Sequence, residues 1–182
     1  MKMTVKTAHW KSQELVMIGV FAAAIKLSSL LIALAGGGMN PVTLMLKNLV
    51  FTTLLIVLLA KVRKSGTLLL FTAVSMIVSV LLMGGSITLL PAALVGALAA
   101  ELAVWLTGGF KHTWSTYVGV AVYDLATKLF SVAVSYLMMR ETPALVLSVL
   151  PIIFIGYTGC LLGLFTGYRA LKELRHAGIV RS

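Results

Sequence analysis

Charge of one sign is scarce in this chain. Asp and Glu together number 5 in 182 residues, against 15 Lys and Arg, and charged residues of all kinds make up 11%. Soluble domains carry about 25%, so a water-soluble globule is excluded. Cysteine is nearly absent as well. Cys160 is the single one, which excludes a disulfide framework and a cysteine metal site. The three histidines (His9, His112 and His176) lie near predicted helix ends and are too scattered to form a metal cluster. No nucleotide-binding glycine loop and no nucleophile elbow occurs. No substrate bond is specified, so an enzyme is not expected, and no cofactor is expected in this chain.

What is abundant is apolar sequence, at 60%. The pattern predicts an all-α membrane protein, with residues 1–182 forming a single integral membrane domain. Six spans are expected, over roughly 13–35, 41–60, 66–83, 87–107, 114–139 and 144–170. Between them lie glycine and proline breaks such as Gly36-Gly37-Gly38, Asn40-Pro41, Gly84-Gly85-Ser86 and Thr142-Pro143. Ala33-Leu34-Ala35-Gly36 has the small-residue look of a signal-peptidase site. The run before it is about twice the usual apolar length of a signal peptide and contains Lys26, so it reads as a retained helix.

The net charge of +10 could suggest nucleic acid, but the basic residues are confined to loops and ends. Eleven of the 15 fall on one side: three before the first span, three after the second, one after the fourth and four in the tail. Arg140 alone falls on the other side, and Lys26, Lys47 and Lys128 lie inside spans. The positive-inside rule then places both termini in the cytoplasm, in a cytoplasmic membrane.

Charges inside spans are costly, about 2.5–3.5 kcal/mol each at a helix centre on insertion scales. The fifth span carries the clearest case. At about 100° per residue, Tyr117, Ala121, Asp124, Lys128, Ser131 and Ser135 share one face, and this stripe must look into protein or water. Asp124 and Lys128 have the favourable acid-first i, i+4 spacing. They either neutralise each other as a structural pair or serve a ligand. Lys47 either snorkels outward or reaches an outward-facing cavity. Glu101, near the basic end of the fourth span, reads as structural or as part of an interface. Lys26 shares a face with Gly19, Ala22 and Ala23, while Ala24 and Ser28 lie on the far side. The first helix is thus built for close packing on two sides. On the sixth span Gly156, Gly159, Gly163 and Gly167 share a face, which reads as internal helix packing. On the third, Thr72, Ser75 and Ser79 suit either a cavity wall or interhelical hydrogen bonds.

The first-helix run Gly19-Val20-Phe21-Ala22-Ala23-Ala24-Ile25-Lys26 and the basic tail Tyr168-Arg169-Ala170-Leu171-Lys172-Glu173-Leu174-Arg175 carry a resemblance. Together with the length and the six spans, they resemble the substrate-binding S component of an energy-coupling factor (ECF) transporter. More narrowly the chain is similar to the Trep_Strep or MptD-type group, whose substrates are unassigned. Gly19-xxx-Ala23 and Ala24-xxx-Ser28 stand where S components show an alanine-xxx-alanine pattern. The resemblance implies capture of a vitamin, metal ion or related micronutrient near the outer face, gated by the loop between helices 1 and 2. It also implies toppling against a transmembrane T component driven by two cytoplasmic ATPase subunits. Helix 1 (Gly19, Ala22, Ala23, Ala24, Lys26, Ser28) would supply the partner contact.

Asn40, Thr43, Lys47, Ser79, Thr88, Asp124, Lys128, Ser131 and Ser135 are the expected substrate-binding residues. Two lysines among them point to a ligand with an anionic group. A bare metal ion is not expected, because the N-terminus is not histidine-rich. Asp124 is expected to hold Lys128 in place, or to pair with Lys26 when the bundle docks on its partner. Two other functions fit the same residues: a small secondary transporter using Asp124 and Lys128 as a proton relay, and a structural subunit of a membrane complex.

Overall fold

The computed structural model describes residues 10–37, 40–83, 90–110, 112–138 and 143–177. Among them are six helices and no strand: α1 (Ser12–Ala35), α2 (Pro41–Lys61), α3 (Thr67–Met83), α4 (Leu90–Leu106), α5 (Thr113–Met138) and α6 (Pro143–His176). Four stretches are long and apolar enough to cross a membrane, Ser12–Ala35, Pro41–Lys61, Trp114–Leu137 and Pro151–His176. Two shorter apolar helices, Thr67–Leu82 and Pro91–Leu106, accompany them. Large apolar side chains such as Val16, Leu31, Leu81, Leu102 and Phe154 point outward. In water this would be a fault; against lipid it is the stable arrangement.

The helix ends have local causes. Glu14 reaches back to accept from the Lys11 backbone N–H at 2.9 Å, closing the first turn of α1. Gly36 ends α1, its N–H donating to Ile32 O at 3.0 Å. A side chain at Gly36 would strike the methyl of Thr43, so glycine is what lets α2 begin so close. Asn40 is the N-cap of α2 and Pro41 its first residue, the favoured order. α6 runs to His176, six residues past the expected 170. The cause is packing: Leu171 and Leu174 continue the inward face and meet Ala60 and Tyr117.

Two helix pairs are zipped by glycine. On α6, a Cβ at Gly163 would lie 2.6 Å from Thr52 Cβ and 2.9 Å from Leu49 O, and one at Gly167 would lie 2.5 Å from Ile56 Cδ1. One at Gly159 would collide with the Met45 carbonyl. The glycine stripe is therefore the seat of α2. Asn48 Nδ2 donates to Gly156 O at 2.8 Å and Thr53 Oγ1 meets Thr166 Oγ1 at 2.7 Å along the same seam. The α4–α5 pair is zipped in the same way. A side chain at Gly96 would meet Thr127, and one at Gly119 would meet Val104. Small residues allow this approach where no hydrophobic force favours one apolar surface over another.

The core lies between these pairs and α1 and α3. α1 turns Ile18, Ala22 and Ile25 onto α2 and α3. Phe51 of α2 stacks on Tyr123 of α5 at 5.9 Å and tilts against Phe71 of α3 at 6.2 Å. The Tyr123 hydroxyl meets Thr72 Oγ1 at 3.1 Å. The polar stripe of α3 is thus engaged in interhelical hydrogen bonding at this point.

At the basic end the turns are pinned by charge. Lys64 binds Glu14 at 2.6 Å and lies 5.5 Å above the Trp10 ring. Glu101 of α4 accepts from the backbone N–H groups of Gly66 (3.0 Å), Leu68 (3.1 Å) and Leu69 (3.3 Å). A carboxylate from one helix thereby caps the exposed donors of another, which also suits the positive end of the α3 dipole.

Candidate functional site around Asp124 and Lys128

The helical register of α5 aims Asp124 and Lys128 at the seam with α6. Lys128 Nζ lies 2.5 Å from Asp124 Oδ2, with side-chain exposures of 16% and 7%. From α6, the Tyr157 ring stands 5.7 Å from Lys128 Nζ, presenting its negative face to the cation. Cys160, fully buried one turn further along α6, sits beside Asp124 and Thr52. Thr52 Oγ1, from α2, is buried against the Cys160 thiol. Three helices thus enclose one ion pair. Attraction in such a site offsets desolvation only while both partners remain, so losing one leaves a costly buried charge.

The other expected site residues divide. Ser131 and Ser135 continue the Lys128 face one and two turns on, half-buried, and form no hydrogen bond among the described residues. Asn40 and Thr43 serve the α2 N-terminus: Thr43 N donates to Asn40 Oδ1 (2.8 Å) and Asn40 N donates to Thr43 Oγ1 (3.1 Å). Asn40 Nδ2 also donates to Gly36 O at 2.8 Å. Ser79 turns its hydroxyl onto the Ser75 carbonyl of its own helix at 2.9 Å. Lys47 is half-buried on α2 and forms no salt bridge among the described residues. Thr88 lies outside the described residues. No hydrogen bond or ion pair among the described residues joins the Asn40–Thr43 turn to the Asp124–Lys128 pair.

On α1, Ala22 is fully buried in the core. Ala23, Ala24 and Ser28 are half-buried, as is Lys26, which forms no salt bridge among the described residues. A side chain added at Gly19 would meet nothing within 4 Å. The Gly19 edge is therefore open, while the Ala22 edge is used within the chain.

The sequence pattern does not disclose Tyr157, Cys160 and Thr52. Tyr157 and Cys160 are interleaved with the glycine stripe of α6, and only the α5–α6 approach brings them to the pair. A cavity of about 530 Å³ at the basic end is lined by Arg63, Ser65, Glu101, Trp105 and Phe110, and neither Asp124 nor Lys128 lines it. Its carboxylate, Glu101, is already occupied by three backbone donors.

No curated protein and no solved structure matches the chain. A family model does match, over residues 12–142, which takes in α1 to α5 and includes Asp124 and Lys128. With an all-helical fold and several membrane-length apolar helices behind that match, the chain belongs to the Trep_Strep family, described as hypothetical bacterial integral membrane proteins.

Proposed function

We propose that this chain is the substrate-binding subunit of an ECF-type, ATP-driven importer in the cytoplasmic membrane, taking up a small organic, vitamin-like compound with an anionic group. Its partners in this reading are a transmembrane T component and two cytoplasmic ATPase subunits, which hydrolyse the ATP. The observation that carries the reading is the Asp124–Lys128 pair, held between α5, α6 and α2 inside an apolar bundle. Ionisable groups at that depth mark substrate or ion paths by default. A lysine with an aromatic face, and two serines on its helix with no hydrogen bond among the described residues, suits a carboxylate or phosphate.

The proposed topology has six spans with both ends inside. The 17 residues of α3 and the 17 of α4 each extend about 26 Å, close to the hydrocarbon thickness of about 30 Å. Six crossings put the two termini on the same side as the Lys61–Lys64 turn, which gathers the basic residues on one face.

Purification of the chain from its own membranes, with identification of bound proteins and retained small molecules by mass spectrometry, tests the reading. T component and ATPases in fixed ratio, with an anionic compound lost in Lys128→Ala, would support it. The same ion pair also suits a proton relay in a stand-alone secondary transporter. Proton-driven uptake by the chain alone in liposomes would favour that second reading.

A further inference from the structure

The outward face of α6 changes character over three turns. Leu161, Leu162 and Phe165 are exposed and apolar. Tyr168, Arg169 and Lys172 follow on the same face, all exposed. The Arg169 guanidinium lies 4.5 Å above the Phe165 ring, so the first cation sits where the apolar surface ends. Beside it runs an aromatic chain from α5: Trp114 meets Tyr117 at 6.4 Å, and Tyr117 meets Tyr168 at 6.3 Å. Trp114 is 76% exposed. The Tyr117 hydroxyl is buried with no hydrogen-bond partner among the described residues.

From this gradient we infer that the α5–α6 edge at the basic end is a binding site for an anionic phospholipid. The acyl chains lie along Leu161, Leu162 and Phe165. The glycerol region meets Trp114 and Tyr168, whose amphipathic rings belong at that depth. The phosphate group meets Arg169 and Lys172. Arginine is suited to this task because its planar donors match phosphate oxygens and its ring contact holds it at the boundary. The nearby acid, Glu173, is exposed and forms no salt bridge with Arg169 among the described residues. Charge complementarity thus favours an anionic over a zwitterionic lipid. The inference does not rest on the transport reading.

Trp114 gives a local readout once the other two tryptophans are replaced, in W10F/W105F. That chain is reconstituted in vesicles of phosphatidylcholine and phosphatidylglycerol in which one lipid or the other is brominated to quench tryptophan. Two basic groups near the headgroup predict a preference for phosphatidylglycerol at Trp114 of roughly tenfold or more. That preference falls with added salt, disappears in R169A/K172A and survives in R169K/K172R. Equal quenching by the two brominated lipids would overturn the inference, as would a preference unchanged in a folded R169A/K172A chain. Circular dichroism establishes that the chain is folded.

Discussion

Lys128 donates to Asp124 one turn earlier on the same helix, at 2.5 Å, while its ammonium group lies 5.7 Å over the Tyr157 ring of α6. The pair therefore ties α5 to α6, a seam that has no glycine zipper of its own. α2–α6 and α4–α5 are the closely packed pairs, and the ion pair lies where the two meet.

Removing one charge should cost more than removing both. Lys128→Ala leaves the Asp124 carboxylate buried and unpaired, at a cost of about 3–5 kcal/mol. The double variant D124N/K128M leaves no charge behind and should unfold closer to the native temperature. Thermal unfolding midpoints in detergent distinguish the two. Under the transport reading the double variant still loses ligand binding, which separates stability from function.

The glycine positions should differ sharply. Gly159→Val places a side chain against the Met45 carbonyl, so α2 and α6 must part. A loss of about 1–3 kcal/mol or more is expected from such overpacking. Gly19→Val meets nothing within 4 Å and should leave the unfolding midpoint unchanged. If the Gly19 edge is the partner contact, the same change abolishes co-purification of the partner while the isolated chain remains stable.

Glu101 should act on α3 although it belongs to α4. Glu101→Ala strips the acceptor from three N–H groups, at about 1–3 kcal/mol. Hydrogen exchange read by mass spectrometry should quicken in the segment around Gly66, Leu68 and Leu69 and leave α6 unchanged. Glu101→Gln keeps a carbonyl acceptor and should fall between the two. Equal exchange in all three chains would refute the cap.

Cys160 should be inert in the native chain. It is fully buried between α5, α6 and α2, so a soluble maleimide should label it only after unfolding. In a Cys160→Ser background, Ser65→Cys, on the exposed turn at the basic end, should react only from the cytoplasmic side in sealed cells and inverted vesicles. Labelling from outside would reverse the proposed orientation.

Much of the helical layout was legible because its determinants are local. Gly36, Asn40 and Pro41 act within one turn of chain, and they bound α1 and α2. The Asp124–Lys128 pairing was legible from i, i+4 spacing alone. The glycine face of α6 was legible too, but not its partner, since nothing in the stripe names α2. Partners across space were the missing information. Tyr157 reads as an ordinary aromatic until α5 lies beside it. Gly96 and Gly119 are isolated glycines in sequence and become a zipper only when α4 meets α5. Asn40 and Thr43, expected at an outer turn as substrate-binding residues, also cap α2, a role visible only once the helix start is placed. The end of α6 was placed too early because Arg169 and Lys172 look like a terminus, whereas Leu171 and Leu174 keep the helix packed to His176.

The most direct test of the substrate-binding reading is the ligand itself. The chain is purified under mild conditions from its own membranes, and the small molecules it retains are compared between the native protein and D124N/K128M. The account predicts an anionic organic compound in the native protein at near-stoichiometric level, together with T component and ATPases, and its absence from the double variant. A chain that retains the same compound in both forms, or that carries neither ligand nor partners, would contradict it.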